Sequence, residues 1–245
     1  MASPSIINNG TLIFFRSDDI AYSAVISGSG TLVKHGAGTL TLSASNTYSG
    51  PTLVSNGLLR VNGFIDASSA LALAPGASLG GTGLVCAVTV YSNGRLDPGL
   101  SIGSLRTANL TMNPGSRYTW EFNSTTSDWI AAQALSFPGP ANSITVTIKR
   151  LDPIVYPVTR TLFTFTSFDP ATTNRLFFDM TDPSMDGIQP PTISTSPNAV
   201  LITLIPEPAS LSLLLFAAAL LRSRKYVTSP AIPVTPLPSS HHPQK

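Results

Sequence analysis

The chain has 245 residues, of which 42% are hydrophobic and only 11% charged, and its formal net charge is +2 at pH 7. This apolar content is enough to build a core and excludes disorder throughout, while the low charge and the abundant Gly, Ser, Thr, Asn and Pro are typical of many short strands and turns. Through Ile205, ten basic residues are balanced by eleven acidic ones. The body is therefore near neutral, without the basic face and adjacent aromatics that a nucleic-acid binder needs.

A repeat of about twenty residues runs through residues 1–116. Its units share a glycine followed by a small residue and a leucine, as in Asn9-Gly10-Thr11-Leu12. The glycines are spaced by 20 residues and then by 19, 19, 18 and 21, at Gly10 and Gly30, then at Gly38, Gly57, Gly76, Gly94 and Gly115. This period is typical of solenoids, and such a coil has room for two or three short strands and tight turns. We therefore predict a right-handed parallel β-helix for residues 1–116.

The turn residues and the strand pattern of each repeat favour the same fold. Asn-Gly and Pro-Gly pairs supply the positive φ angles of sharp corners, and segments such as Leu40-Thr41-Leu42 alternate with period two. Each coil exposes apolar surface until its neighbour covers it. The two ends of the stack are therefore expected to need caps.

The twenty-residue period fades over residues 117–204, although the segment still alternates as strands do. The clearest alternating segments are Arg117 to Phe122, Ile144 to Ile148, Thr161 to Phe165 and Ala199 to Leu204. Aromatic residues are concentrated here. We predict an irregular β cap that closes the stack, with a separate β-sandwich as the alternative.

The character of the chain changes after Ile205. Over residues 205–225, Pro206-Glu207-Pro208 precedes an uncharged run from Ala209 to Leu221, and basic residues follow at Arg222, Arg224 and Lys225. The uncharged run is predicted to be a single short transmembrane helix whose basic end stays in the cytoplasm. Residues 226–245 are Pro-rich without periodicity, which predicts a disordered tail.

Two segments of the repeat region resemble a known family. Residues Gly28 to Gly50 (GSGTLVKHGAGTLTLSASNTYSG) and Thr52 to Val61 (TLVSNGLLRV) are similar to the autotransporter-associated β-strand repeat. Residues Gly76 to Gly83 and Leu96 to Gly103 resemble what commonly follows that repeat. The resemblance implies a passenger-type β-helix that is displayed outside the cell and has no catalytic activity of its own.

The segment from Pro206 to Lys225 resembles a PEP-CTERM sorting signal. In that family the Pro-Glu-Pro motif, here Pro206, Glu207 and Pro208, is read by an exosortase, a membrane transpeptidase that processes the protein at the cell surface. The resemblance implies a membrane-anchored precursor with an exosortase-type partner. The N-terminal residues have neither a basic start nor an apolar core, so no secretory signal is expected within this chain.

Several segments contain residue types that occur in catalytic or binding sites. Gly76-Ala77-Ser78-Leu79-Gly80 fits the G-x-S-x-G pattern of a hydrolase nucleophile, but no helix follows, so a β-helix corner is predicted instead. Asp18-Asp19 could bind a cation, yet a solvated loop pair is expected because no third carboxylate is near in sequence. Cys86 is predicted to be a buried packing residue. Tyr118, Trp120, Phe122 and Trp129 could form a sugar-stacking platform, but packing in the core or cap is predicted for them instead. No catalytic, metal or cofactor site is predicted.

Together these observations predict a non-catalytic exported cell-surface or extracellular-matrix protein, structural or adhesive, that is sorted through its C-terminal signal. Its expected partners are an exosortase-type transpeptidase, the membrane and a surface polysaccharide, without nucleic acid. One alternative is a β-helix carbohydrate-active enzyme, a polysaccharide lyase or hydrolase, which acids clustered on one face of the helix would favour. Another is a truncated autotransporter passenger fragment.

Overall fold

The computed structural model describes residues 4–66 and 69–207 of the chain. Within these residues the regular structure is β-strand apart from two short 3-10 helices, Pro170–Arg175 and Pro183–Met185. The chain divides into two units, Met1–Pro206 and Glu207–Lys245, and all of the described strands belong to the first.

Successive coils of the chain place their strands on three faces of a stack. Strands are numbered β1 to β23 along the described chain. Sheet one contains, in the order in which neighbours pair, β2 (Thr11–Phe15), β5 (Thr31–His35), β8 (Thr52–Val54), β11 (Ala70–Leu73), β14 (Ala87–Val90), β16 (Ser104–Met112), β18 (Trp129–Ser136), β20 (Val158–Phe168), β23 (Ala199–Leu204) and β22 (Thr192–Ser196).

The second face is equally continuous, whereas the third is a row of two-residue strands. Sheet two contains β3 (Ile20–Tyr22), β6 (Thr39–Leu42), β9 (Leu58–Val61), β12 (Ser78–Gly81), β15 (Arg95–Pro98), β17 (Arg117–Phe122), β19 (Ile144–Arg150) and β21 (Leu176–Asp179). The third row contains β1 (Ile6–Ile7), β4 (Ile26–Ser27), β7 (Ser45–Asn46), β10 (Phe64–Ile65) and β13 (Leu84–Val85).

Neighbouring coils pair in parallel along sheet two and along sheet one as far as β20. Thr11 pairs with Thr31, and Leu58 pairs with Ser78, so each partner lies 20 positions further along the chain. The fold is therefore an all-β, β-helix-like solenoid of parallel strands, which confirms the strand type and the parallel stacking predicted from the repeat. The spacing of the glycines equals the length of one coil.

Apolar columns run through the interior because alternate residues of every strand point inwards. One column on sheet two begins at Ile20 and continues from coil to coil as Leu40, Leu59, Leu79, Leu96, Tyr118, Val146 and Phe178. Its members from Leu40 to Val146 are fully buried. Burying one such side chain contributes about 1.5–3 kcal/mol, so stacking of coils is the main source of stability.

The coils lengthen towards the C-terminal end of the body, which explains why the repeat fades in the sequence. The paired positions Arg95 and Arg117 are 22 residues apart, but Arg117 and Thr145 are 28 apart. The strands of residues 117–179 nevertheless extend sheets one and two, and the extra residues lie partly in the longer strands β18 and β20 and partly in the connections. Among the described strands, antiparallel pairing enters only where β23 joins β20 and β22, and the other antiparallel contacts are isolated bridges.

Strand β23 covers the last parallel strand of sheet one, with Ile202 and Leu204 fully buried. Across residues 4–66 and 69–207, no helix has the length and apolar character needed to span a membrane. The predicted transmembrane segment from Ala209 to Leu221, the basic residues after it, Pro208 and the predicted tail all lie outside the described residues.

Candidate functional site

Two residues of the predicted sorting motif fall within the described chain. Pro206 lies two residues after the end of β23 and forms an antiparallel bridge with Ile188. The amide of Gln189 donates to the carbonyl of Ile205 at 2.9 Å. This bond fixes the backbone immediately before the motif. Glu207, the next residue, is exposed.

The G-x-S-x-G segment is a strand of the solenoid rather than a nucleophile turn. Ser78 lies in β12 and pairs with Leu58 and Arg95 on sheet two. The histidine of the body, His35, lies on sheet one, where its Nδ1 is 2.8 Å from the hydroxyl of Ser55. The structure therefore does not bring Ser78 and His35 together.

Asp18 and Asp19 both interact with other groups of the protein. Asp18 forms an exposed ion pair with Arg16, with 2.5 Å between Oδ2 and Nη2. Asp19 accepts the amide of Thr39 at 2.6 Å. Hydrogen bonds from Thr39 lower the pKa of Asp19, and the charge of Arg60 contributes to a lesser extent.

Four of the five residues predicted to pack in the core or cap are buried, whereas Trp129 in β18 is only half-buried. Cys86, Tyr118, Trp120 and Phe122 are fully buried, and the rings of Trp120 and Phe122 stack with 4.8 Å between centroids. Burial raises the pKa of the Cys86 thiol to about 11. The rings of Tyr118, Trp120 and Phe122 are therefore not available to stack on a sugar.

A charged surface depression, which we call the sheet-two groove, lies on the outward side of sheet two and has a volume of about 230 Å³. Three basic and three acidic side chains line it. They are Arg60, Arg95, Lys149, Asp97, Glu121 and Asp128. These six residues are spread between positions 60 and 149, and the sequence alone does not predict that they meet.

The parallel register explains why residues so far apart in sequence meet here. Arg60 pairs with Gly80, and Gly80 pairs with Asp97, so these outward positions form one column across three coils. A Cβ at Gly80 would lie only 2.5 Å from the carbonyl oxygen of Asp97. The glycine thus leaves the column open between an arginine and an aspartate.

Two ion pairs neutralise part of the groove. Arg95 Nε donates to Asp97 Oδ2 at 2.7 Å, and Lys149 Nζ lies 3.8 Å from Glu121 Oε1. Arg60 has no such pair within the described chain, and its Nε is buried without a hydrogen-bond partner. The groove therefore offers one guanidinium that has no ion pair and one unsatisfied Nε–H within the described chain.

Asp128 is the most deeply buried acid of the groove, with 1% of its surface exposed. Its Oδ1 accepts the amide of Gly103 at 2.7 Å, and its Oδ2 accepts the amide of Glu121 at 2.9 Å. Burial raises the pKa of Asp128 to about 7, the charges of Glu121 and Asp97 act in the same direction, and the two amide hydrogen bonds oppose the shift. This carboxyl changes charge near neutral pH.

A tight loop after β17 positions Asp128. The side chain of Asn123 accepts the amide of Thr126 at 2.7 Å, a local bond that favours a turn. The chain then folds back, and the amide of Asp128 donates to the carbonyl of Glu121 at 2.7 Å. The indole of buried Trp120 donates to the carbonyl of Asp128 at 2.7 Å. The loop is thereby anchored to the core.

A second depression of about 290 Å³ shares Arg95 with the groove. Its other charged wall is Arg117, which pairs with Arg95 across neighbouring strands. Arg60, Arg95, Arg117 and Lys149 together form what we call the basic strip. It extends from β9 to β19, four strand steps, or about 19 Å at the usual strand spacing.

A signal for part of this cluster was present in the sequence. Arg60 follows Gly57 by three residues, and Asp97 follows Gly94 by three residues. Equal offsets from the corner glycines place outward residues in the same column of a solenoid. Asp128 and Lys149 lie where the coils lengthen, so no such offset would have found them.

The parallel coils and their glycine corners define a β-helix-like solenoid. Residues 32–61 match the family described as Passenger-associated-transport-repeat. The chain thus carries autotransporter passenger-type repeats within its sheet stack. The matched residues run from β5 to the end of β9, which is one coil (β5, β6 and β7) and the first two strands of the next.

Two curated proteins are similar to parts of the chain. The extracellular serine protease of Serratia marcescens is 36% identical over 132 residues, which cover 53% of this chain and 12% of that protein. The adhesin BmaC autotransporter of Brucella suis biovar 1 (strain 1330) is 42% identical over 93 residues, which cover 36% of this chain and 3% of that protein. The chain thus spans a small fraction of either relative.

Proposed function

We propose that the chain is part of an exported cell-surface or extracellular-matrix protein with a structural or adhesive role and no catalytic activity of its own. The observation that carries this proposal is the continuous solenoid built from passenger-type repeats. Of the two relatives, one is named as extracellular and the other as an adhesin. A long, regular stack of strands suits such a role because its stability needs no disulfide, and the chain has a single cysteine.

The proposed route to the surface is the C-terminal sorting signal. In this proposal an exosortase-type transpeptidase reads Pro206, Glu207 and Pro208, the run from Ala209 to Leu221 enters the membrane, and the basic residues after it stay in the cytoplasm. Prolines suit a recognition segment because they end the preceding strand and favour an extended backbone. The right-handed coil and the cap function of residues 117–204 belong to the same proposal.

Fractionation of cells that express the chain from its native upstream DNA tests the sorting route. The wild type should be membrane-associated and processed, whereas Glu207→Ala and a stop codon after Ile205 should both lose processing. Asp186→Ala, an exposed acid outside the motif, is the matched control and should behave as the wild type. If all four proteins remain uncut in the cytoplasm, the sorting proposal is wrong.

A carbohydrate-active enzyme is the second candidate, and one observation favours it. Asp97, Glu121 and Asp128 line the same groove, and one of them has a pKa near 7, which suits a general acid or base. Release of reducing ends from acidic and neutral polysaccharides by the wild type, and its loss in Asp128→Asn, would support this candidate. Equal release by both proteins, or none, would reject it.

A further inference from the structure

We infer that the sheet-two groove and the basic strip form a binding site for an acidic polysaccharide, held through the carboxylates of its uronate units. The inference rests on the proposed adhesive role and names the class of ligand for it. It follows from three features of this face: its unpaired cations, its mixture of hydrogen-bonding groups and its length.

The unpaired cations of the strip select an anion. Asp97 neutralises Arg95 and Glu121 neutralises Lys149, so Arg60 and Arg117 remain without an ion pair within the described chain. A guanidinium presents a planar fork of donors that matches a carboxylate, and Arg60 already has one buried Nε without a partner. A carboxylate bound in the groove would place a negative charge beside this unpaired guanidinium.

The remaining lining suits a sugar better than a peptide. Each sugar hydroxyl both donates and accepts hydrogen bonds, and the groove offers the carboxylates of Asp97 and Glu121 beside the donors of Arg95 and Lys149. A peptide usually binds by adding a strand to a free sheet edge or by filling apolar pockets. Here the groove lies over paired strands of sheet two, whose backbone groups already bond to both neighbours. No edge is open for a peptide strand at this place.

The length of the strip suits a polymer. Its four cations are spread over about 19 Å, so an extended chain of several sugar units can contact more than one of them at a time. Simultaneous contacts of this kind raise the overall affinity without any single tight subsite. This agrees with a shallow groove open to solvent rather than an enclosed pocket.

The first experiment measures binding of trigalacturonate to the purified full chain by titration calorimetry. The comparison ligand is the same trisaccharide with its carboxyls methylated, which keeps the sugar rings and hydroxyls but removes the charge. Arg60→Gln and Arg117→Gln remove the unpaired cations. Arg106→Gln is the matched control, because it removes one exposed arginine from sheet one instead of sheet two. Thermal melts establish that each variant is folded.

We expect the wild type to bind trigalacturonate and not its methyl ester. Arg60→Gln and Arg117→Gln should each weaken binding by about tenfold, the effect of losing one charge-assisted hydrogen-bonding group, and Arg106→Gln should not weaken it. Equal binding of the ester, an equal loss in Arg106→Gln, or no binding at all would overturn the inference. Tighter binding of an aspartate-rich peptide of the same charge would overturn it in favour of a peptide partner.

The pH dependence gives a second readout. Above about pH 7 the ionised Asp128 adds a negative charge beside Asp97 and Glu121, which the basic side chains of Arg95 and Lys149 only partly offset. Binding should therefore weaken as the pH rises from about 5.5 to about 8, a range in which a uronate stays ionised. Asp128→Asn should remove this dependence, and an unchanged dependence would count against the site.

Failure of this inference and failure of the proposed function are distinguishable. Correct export and processing without binding of trigalacturonate would reject the ligand and leave the surface role intact. Binding by a protein that is neither exported nor processed would reject the sorting route and leave the groove as a glycan site.

Discussion

At the scale of single residues, buried amide side chains join neighbouring coils where backbone groups would otherwise lack partners. Asn46 is fully buried, and its Oδ1 accepts the amide of Ile26 at 3.0 Å. Its Nδ2 donates to the carbonyls of Ala44 and Phe64 at 3.1 and 3.2 Å. One side chain therefore connects three successive coils of the third row.

Asn46→Ala should lower the free energy of unfolding by about 2–4 kcal/mol, because buried backbone groups lose their partners at about 1–3 kcal/mol each. The control is Asn9→Ala, since exposed Asn9 makes one bond to the amide of Ser29 and water can replace it. Urea unfolding measures both changes. Equal losses in the two variants would show that burial of the Asn46 amide is not what matters.

Asp128 should make the stability of the protein depend on pH. Its pKa rises from the ordinary 3.8 to about 7, so the folded protein holds a proton that the unfolded chain releases between these values. Stability should therefore be highest at the acid end of this window and fall as the pH rises through it, by up to about 4 kcal/mol. The pKa values of Asp19 and Asp182 are lowered chiefly by backbone hydrogen bonds, so their effect falls below the window.

The test of this prediction is the slope of the free energy of unfolding against pH, not its value at any one pH. Asp128→Asn also loses one acceptor for the amides of Gly103 and Glu121, which lowers stability at every pH. Urea unfolding at several pH values between about 4 and 8 should give a flatter profile for this variant. Asp186→Asn changes an exposed acid and should keep the wild-type slope. A slope that survives in Asp128→Asn would assign the titration to another group.

At the scale of elements, the corner glycines fix where each strand ends, and they differ in what they require. Gly81 has a φ of +103°, and a Cβ there would lie 2.2 Å from the carbonyl oxygen of Val61. Gly76 has a φ of +82° with nothing near its missing Cβ, whereas Gly10 has neither a positive φ nor a close neighbour. Substitutions at these three positions therefore distinguish the cost of a steric clash from the cost of backbone strain.

Alanine at these three glycines should give three different losses of stability. Gly81→Ala should cost about 3 kcal/mol or more because the coil below must move, and Gly76→Ala about 1 kcal/mol for the left-handed backbone alone. Gly10→Ala should be near neutral or slightly stabilising. Thermal unfolding ranks the variants. A similar loss at Gly76 and Gly81 would show that strain, not contact between coils, sets the cost.

The strands were predictable from the sequence, but the lengths of the later coils were not. Local alternation located β17, β19, β20 and β23, because the two-residue period is a property of each strand alone. The partner of a strand depends on the loop between them, and Ile144 and Leu176 are paired across 32 positions where the early coils use about 20. The local pattern of a strand does not indicate the length of the loop that follows it. The sequence therefore could not predict that Asp128 and Lys149 line one groove.

At the scale of the whole molecule, the solenoid makes the cost of a substitution depend on its position along the stack. Leu12 and Leu110 lie in the same interior column of sheet one, which also contains Leu32, Thr52, Leu71, Val88, Leu135 and Phe168. Leu110 is 1% exposed between β14 and β18, whereas Leu12 is half-buried in β2, which pairs only with β5 within the described chain. The same side chain thus has two covering neighbours at one position and one at the other.

Leu110→Ala should lower the free energy of unfolding by about 2–5 kcal/mol, the usual cost of a cavity in a packed core, and Leu12→Ala by about half as much. Because contacts act between neighbouring coils, Leu12→Ala should speed hydrogen exchange in β2 and β3 but leave β14 to β18 protected. Leu110→Ala should speed exchange on both sides of β16. Uniformly faster exchange in both variants would show that the stack opens as one cooperative body, and the nearest-neighbour description would then fail.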